Sequence, residues 1–388
     1  MEQIIAKTFA GLEPVLAEEL RALGATNIQT IKRAISFDGD ARILYRANYE
    51  LRTALRILLP IHSFPAHNEK SLYEGIREID WSNYMNVSDT VAVDAVAQGE
   101  VFRHSQYVGL LTKDAIVDQF RDRYQRRPNV NTLSPTLRVN VHILGTHCDV
   151  TLDSTNGSLH RRNYRRDTVE APLNEVLAAG LVMLSGWNGR GSFVDPMCGS
   201  GTLAIEAALL ALNIPPQFMR EGFGFFKWPD FNRKIWESVK KEADARAQTA
   251  FEFPIIAADK DTRARNATAV NVLSCGLEKI IQVEKMPFEK LVPPEVPGTL
   301  LTNPPYDERL QLENSTLFYQ GIGDRLKQAW SGWDAWLISS DREALKSIGL
   351  RPSKRITLFN GALDCSFQKF ELYAGTRRKE EELAAELP

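Results

Sequence analysis

The chain has 388 residues, 44% of them hydrophobic and 25% charged, with a formal net charge of −2, the composition of a soluble protein too long for one hydrophobic core. No secretion signal opens the sequence, and no apolar run approaches the roughly 20 residues that span a membrane. We therefore expect no membrane association. The four cysteines form no CxxC pair, so we also expect no metal site, no disulfide framework and a cytoplasmic location.

The first 158 residues predict one or two small α+β modules. Apolar residues recur at helical spacing over 12–23 and again over 41–58. Residues 90–97 alternate as a strand, residues 106–123 have the period of an amphipathic helix, and residues 137–144 alternate again. No long linker separates these elements.

From residue 166 to residue 350 strands and helices alternate, which is typical of a parallel sheet covered by helices. Ala171 and Pro172 stand where a helix is expected to begin. The Asn360-Gly361 pair predicts the turn of a closing antiparallel hairpin. Three strands of this block end in polar residues: Asp195, Asp259 and Asn303.

A turn of small residues follows Asp195, and its glycines fit neither a dinucleotide fingerprint nor a phosphate-binding loop. Such a short turn offers backbone N–H groups to a ligand without phosphates, such as the methionine and ribose parts of S-adenosylmethionine. We expect Asp195 to hold the ammonium group of this cofactor and Asp259 to accept its ribose hydroxyls, with Asp261 as a helix N-cap. The predicted cofactor site comprises Asp195, Pro196, Cys198, Gly199, Ser200, Gly201, Thr202, Asp259, Lys260 and Asn303.

The tetrapeptide Asn303-Pro304-Pro305-Tyr306 is the most specific feature of the sequence. Two consecutive prolines lock the backbone and remove two N–H donors, which leaves the Pro304 carbonyl without a competing neighbour. This carbonyl and the Asn303 amide oxygen can hold both N–H groups of a ring-conjugated amine, which frees the nitrogen lone pair for methylation. Tyr306 offers a ring on which an extruded base can stack. We therefore predict methyl transfer to an exocyclic base nitrogen, with these four residues as the catalytic group.

A run of arginines near residue 160 predicts contacts with RNA phosphates, with ordinary solvated surface as the alternative. The predicted RNA-binding residues are Arg161, Arg162, Arg165, Arg166 and Arg309. The aromatic stretch from Gly222 to Trp228 belongs to an insertion, residues 213–236. This insertion either forms a lid that stacks on RNA or packs onto its own domain.

Several stretches resemble the THUMP-containing class I RNA methyltransferases. Within that family they are most similar to the N-terminal, guanine-N2 half of the bifunctional bacterial methyltransferases K/L of 23S ribosomal RNA. The similarity extends to about residue 375, and the second catalytic half is not in this sequence, so one modification is expected. The stretches that carry it are residues 9–14, 102–107, 113–116, 160–166, 171–178, 195–202, 303–310 and 360–363.

The resemblance implies an α/β fold class: a class I Rossmann-like domain with a seven-stranded mixed sheet of order 3-2-1-4-5-7-6, preceded by α+β ferredoxin-like and THUMP modules. The implied domains are residues 1–60, 61–158 and 159–376, with a tail at 377–388. Leu173 and Asn174 are implied at the methionine end of the cofactor. Met286 stands near the adenine where relatives commonly carry an acidic residue, and Glu284 is the alternative for that role.

For function, the resemblance implies methylation of guanine N2 in 23S rRNA, alone or in a ribosome assembly intermediate. The residues by themselves leave other readings open, because the tetrapeptide fits the amine of guanine and that of adenine equally. The alternatives are guanine-N2 methylation of tRNA, adenine-N6 methylation of RNA, and a non-catalytic RNA-binding assembly factor.

Overall fold

The computed structural model describes residues 1–169, 172–305, 312–361 and 363–374. Predicted residues Tyr306 and Arg309, and the predicted tail, lie outside this part. The strands are β1 (Glu2–Lys7), β2 (Thr26–Ile31), β3 (Ala34–Gly39), β4 (Arg56–Pro65), β5 (Thr90–Gln98), β6 (Asn129–Val130), β7 (Leu137–Leu144), β8 (His147–Asp153), β9 (Ser192–Asp195), β10 (Ile255–Asp259), β11 (Ile281–Lys285), β12 (Gly298–Thr302), β13 (Asp334–Ser339), β14 (Lys354–Asn360) and β15 (Leu363–Glu371).

The α-helices are α1 (Glu13–Leu23), α2 (Ala41–Glu50), α3 (Glu69–Glu78), α4 (Ser105–Tyr124), α5 (Glu175–Leu184), α6 (Thr202–Ala211), α7 (Arg233–Ala245), α8 (Thr262–Ser274), α9 (Leu312–Ala329) and α10 (Arg342–Lys346). None of the helices among the described residues has the length and apolar character needed to cross a membrane. Contacts divide the chain into two units. The first comprises Met1–Thr8, Leu16–Arg161 and Gln217–Ala245, and the second comprises Phe9–Val15, Arg162–Pro216 and Arg246–Pro388.

One mixed eight-stranded sheet, of order β2-β3-β1-β4-β8-β7-β5-β6, runs through the first unit. Strand β4 is its junction, because it pairs with β1 on one side and with β8 on the other. The register with β8 shifts between Pro60 and His62, a place where a proline without an N–H is tolerated. The predicted boundary between residues 60 and 61 therefore falls inside a strand, and the two α+β modules share one sheet.

The insertion after α6 supplies part of the first unit's core. Phe225 is 1% exposed and stacks on Tyr45 with ring centroids 4.4 Å apart. Trp236 meets the ring of Tyr49 edge-on at 5.4 Å. Phe225 is internal and Trp236 is partly buried against the same core, so the structure supports packing of the insertion and not the lid. Residues 217–245 belong to the first unit, whereas the predicted domain bounds place them in the domain at 159–376.

The second unit contains a seven-stranded sheet of order β11-β10-β9-β12-β13-β15-β14, which confirms the predicted order 3-2-1-4-5-7-6. Strands β9 to β13 pair in parallel, and β15 runs antiparallel to both β13 and β14. Strand β9 is buried along its whole length, as expected of a parallel strand covered by helices. The carboxyl ends of β9, β10 and β12 consequently meet at one edge of the sheet.

Helix α5 begins three residues later than the prediction from Pro172. The side chain of Asn174 accepts the N–H groups of Val176 at 3.0 Å and Leu177 at 3.4 Å, so Asn174 is the N-cap. A cap that satisfies two free N–H groups outweighs the preference of proline for the first turn.

The buried position of Phe225 yields a first prediction. Phe225→Ala should lower the free energy of unfolding by about 3–5 kcal/mol, because it removes a buried ring and leaves a cavity. Tyr124→Ala, at a side chain that is 46% exposed, is the control and should change it little. Chemical denaturation followed by circular dichroism measures both. Unchanged stability together with weaker RNA binding would support the lid instead.

Candidate functional site

A cavity of about 1280 Å³ opens at the carboxyl edge of the second unit's sheet. It gathers most of the predicted site, from the turn after β9, the end of β10 and the exit of β12. The predicted residues that line it are Leu173, Asp195, Pro196, Cys198, Gly199, Ser200, Thr202, Asp259, Lys260, Asn303, Pro304 and Pro305. Gly201, Asn174 and Met286 do not line it.

The turn after β9 depends on two glycines with positive φ, +56° at Gly199 and +80° at Gly201. A Cβ on Gly201 would lie 2.7 Å from Cγ2 of Thr268, so a larger residue cannot be accommodated without movement. The hydroxyl of Thr268 donates to the Gly199 carbonyl at 2.9 Å. Gly201 therefore lets the turn pack closely against Thr268 and does not line the cavity, although it was predicted to contact the cofactor.

Asp259 holds the same turn from the front. Its Oδ2 accepts the N–H of Gly199 at 3.0 Å, and its Oδ1 accepts the N–H of Asp261 at 2.9 Å. Asp261 in turn accepts the N–H of Arg263 at 3.0 Å and caps α8, as predicted. Each oxygen of Asp259 still has a lone pair for a hydroxyl group in the cavity.

Asp195 is a carboxyl group without a cationic partner at hydrogen-bond distance among the described residues. It is 1% exposed, and this burial raises its pKa to about 7. The N–H of Met197, 3.3 Å away, and the hydroxyl of Thr302 oppose the rise in the pKa, whereas the nearby charge of Asp259 adds to it. A cationic group in the cavity would stabilise the charged form of Asp195.

Asn303 brings an unused acceptor into the cavity. Within the described residues its Oδ1 is buried and accepts no hydrogen bond. Buried amide oxygens are normally paired, so this one indicates a missing donor. Pro304, also buried, and Pro305 line the cavity beside it and offer no N–H groups that could fill the acceptor.

Arg165 joins the turn after β9 to the segment before α5. Its guanidinium donates to Glu175 Oε1 at 2.9 Å, Ser200 Oγ at 2.8 Å, the Leu173 carbonyl at 2.9 Å and Thr202 Oγ1 at 3.1 Å. These bonds occupy the group that was predicted to contact RNA, so that assignment is corrected. Arg165 instead fixes two walls of the cavity relative to each other.

The other predicted arginines among the described residues differ in their exposure to solvent. Arg162 is 1% exposed and pairs with the buried Glu206, Nε to Oε1 at 3.4 Å, so it cannot reach a phosphate. Arg161 and Arg166 have exposed side chains and remain predictions for RNA contact. Charge runs in a sequence do not reveal which members are internal, because burial of an arginine depends on a partner such as Glu206 from elsewhere in the chain.

The structure adds cavity residues that the sequence interpretation missed. After β11 the lining residues are Phe288 and Glu289, whereas Met286 packs into the adjacent apolar core and Glu284 does not line the cavity. Asn360 and Leu363 line it from the β14–β15 turn. The predicted closing hairpin could have placed this turn at the cavity, because an antiparallel last strand must begin at the edge where the parallel strands end.

Family models match three parts of the chain. A ferredoxin-like domain named after RlmL matches residues 3–58, the THUMP domain matches residues 66–153, and the RMKL-like methyltransferase domain matches residues 162–369, more than half of the chain.

Individual proteins are similar over most of the chain. A provisionally named RNA methyltransferase of Synechocystis sp. is 40% identical over 94% of this chain and 95% of its own length. The ribosomal RNA large subunit methyltransferase K/L of Syntrophotalea carbinolica is 38% identical over 93% of this chain but only 52% of its own, so the chain spans about half of that protein. The crystal structure of a provisionally assigned methyltransferase complexed with S-adenosylhomocysteine superimposes with a TM-score of 0.87 at 28% identity, over 97% of this chain and 99% of that one.

The raised pKa of Asp195 predicts a pH dependence of stability. The folded pKa of about 7 lies above the ordinary value of 3.8, so the folded chain binds more protons than the unfolded chain between these values. This group therefore reduces stability progressively as pH rises from about 4 to about 7, and the penalty persists above that range. Asp195→Asn should become increasingly more stable than the unaltered chain over that range.

Urea denaturation of both proteins at several pH values, without cofactor, measures the difference. A stability difference that does not change with pH would contradict the assignment.

The bonds of Arg165 predict a loss of cofactor affinity. Arg165→Met should weaken S-adenosylmethionine binding by about 10- to 100-fold, because a loose turn after β9 must be ordered on binding. Arg166→Met is the matched control, since the Arg166 side chain is exposed and only its backbone N–H bonds to Asn271, at 2.7 Å. Calorimetric titration distinguishes the two, and equal affinities would refute the role of Arg165.

Proposed function

The chain belongs to the RMKL-like methyltransferase family, and from that premise we propose that it transfers a methyl group from S-adenosylmethionine to the exocyclic N2 of a guanine in 23S rRNA. The observation that carries the chemical part of this proposal is the buried Oδ1 of Asn303 in the cavity, which accepts no hydrogen bond from the residues that the structure describes. RNA as the substrate class is supported by the THUMP match and the ribosomal RNA methyltransferase relative.

The cavity fits the cofactor through the chemistry of its walls. We propose that Asp195 faces the ammonium group and Asp259 the ribose hydroxyls, with Phe288 against the adenine ring and Glu289 near its amino group. Phe288 and Glu289, not the predicted Met286, line the cavity in this region, and Glu289 is the acidic one of the two. When bound, S-adenosylmethionine supplies a methyl group on a sulfonium, an electrophile that needs only a free nitrogen lone pair.

The chain's own contribution is to hold the amine. Two N–H groups of the base donate to Asn303 Oδ1 and the Pro304 carbonyl, which draws the lone pair out of conjugation with the ring. Positive charge grows on the nitrogen as the new bond forms, so both hydrogen bonds strengthen on the way to the transition state. Asn303 is neutral and takes no proton, and one amine proton leaves to water once the nitrogen is cationic.

Guanine and the ribosomal target rest on the family resemblance. A purified chain given S-adenosylmethionine and unmodified RNA, followed by mass spectrometry of the nucleosides, tests both. N2-methylguanosine in 23S rRNA is the expected product. N6-methyladenosine, or methylation of tRNA alone, would favour the corresponding alternative, and no methylated nucleoside in any RNA would favour the non-catalytic assembly factor.

Asn303 variants test the mechanism. Asn303→Ala should lower single-turnover methyl transfer by about 10- to 100-fold or more, because it removes a charge-assisted hydrogen bond. Asn303→Asp keeps an acceptor oxygen at the position and should lose less. Cofactor affinity, measured by calorimetry, should change little in either protein. Normal methyl transfer by Asn303→Ala would refute the assigned role.

A further inference from the structure

The β14–β15 turn brings an apolar side chain to the catalytic cavity. Asn360 and Leu363 pair in register where the two strands meet, and both line the cavity beside Asn303 and Pro304. The proposed cofactor contacts and the holding of the amine use neither of them. Leu363 is a large apolar side chain, yet it is 42% exposed.

Leu363 stands at the end of a row of core residues. Side chains two positions apart on a strand share a face of the sheet, so Leu363 points to the same face as Cys365 and Phe367. Both of these are fully buried. The apolar face of β15 therefore leaves the core at its first residue, and there it borders the cavity and is open to solvent.

The sheet and a neighbouring helix hold Leu363 in place. Strand β15 pairs with β14 from its first residue and with β13 from Ser366 onward. The next residue, Asp364, accepts hydrogen bonds from the guanidinium of Arg342 in α10 with both carboxylate oxygens, each at 2.9 Å. A side chain on an ordered backbone loses less conformational entropy when it packs against a ligand than one on a flexible loop.

The burial of the Asn303 acceptor determines how the target base must arrive. Its Oδ1 is buried in the cavity and accepts no hydrogen bond from the residues that the structure describes. A base that stays stacked in an RNA helix cannot bring its amine to a buried acceptor, so the base must leave the helix. Its departure leaves a gap in the stack, and proteins that unstack bases commonly insert an apolar side chain such as leucine at the disrupted step.

We propose that Leu363 inserts into the RNA stack beside the target and occupies the space that the extruded guanine leaves. The inference rests on the proposed function and deepens it, because it defines the substrate of the same site as a guanine that is stacked in a helix before it is methylated. Leu363 contacts the neighbouring bases through apolar surface alone, so it adds no preference for their sequence. Its contribution is needed only where extrusion has a cost, and an unpaired guanine in a single strand needs little of it.

Single-turnover methyl transfer to one RNA strand, alone and annealed to its complement, tests the proposal. The strand carries the sequence around the methylated guanine. Leu363→Ala should lower the rate on the duplex by about 10-fold or more, because the contact of a leucine side chain with the bases is lost, and should change the rate on the single strand little. Leu363→Met keeps an apolar side chain of similar volume and should retain most of the rate on the duplex. Leu273→Ala, at a side chain that is 66% exposed on α8 and does not line the cavity, is the matched control and should change neither rate.

An equal loss on both RNAs in Leu363→Ala would overturn the proposal, because Leu363 would then act inside the cavity and not in the helix. An unchanged rate on the duplex would also overturn it, as would methylation of the single strand alone by the unaltered chain.

Binding of the full chain to an RNA duplex with one abasic position, measured by fluorescence anisotropy, separates this result from the proposed function, because it needs no methyl transfer. The gap is already present in that duplex, so the unaltered chain and Leu273→Ala should bind it more tightly than the intact duplex, and Leu363→Ala should lose most of this preference. An undiminished preference in Leu363→Ala, or none in the unaltered chain, would overturn the insertion. If guanine is methylated and the preference does not depend on Leu363, the proposed function survives and the insertion fails. If no nucleoside is methylated and the preference depends on Leu363, the opposite holds.

Discussion

The hydrogen bond from the Gly199 N–H to Asp259 Oδ2, 3.0 Å long, joins the turn after β9 to the end of β10. The rest of the site depends on this connection, because it fixes a flexible glycine turn against a strand end that the sheet already holds in place. Asn271 reinforces it from behind by donating to the Ser200 carbonyl at 3.0 Å. A turn that is already ordered loses little entropy when a ligand binds.

The second constraint is the chemistry of the acceptors around the cavity. Asp195 and Asp259 are carboxyl groups, whereas the acceptor at Asn303 is a neutral amide. A carboxylate suits an ammonium or a ribose hydroxyl in the ground state. In the proposed methyl transfer, a neutral amide oxygen next to two prolines would bind the more positive nitrogen of the transition state more strongly than the neutral amine. The chain belongs to a family of S-adenosylmethionine-dependent RNA methyltransferases. Both kinds of acceptor, the two carboxyl groups and the amide, line the same cavity.

The strand order of the second unit was implied by the family resemblance. The gathering of Asp195, Asp259 and Asn303 followed from the alternating strands and helices, since parallel strands deliver their ends to one edge. The roles of Arg162 and Arg165 could not be predicted, because each depends on a partner that a charge run does not show. The aromatic insertion was ambiguous for the same reason, and its burial against Tyr45 is a long-range contact.

Titration of S-adenosylmethionine into the purified full chain measures whether the cavity binds this cofactor. We expect one binding site per chain, with affinity strongly reduced in Asp259→Ala, since that change removes both the acceptor and the anchor of the turn after β9. No detectable binding to the unaltered chain, or full affinity in Asp259→Ala, would contradict it.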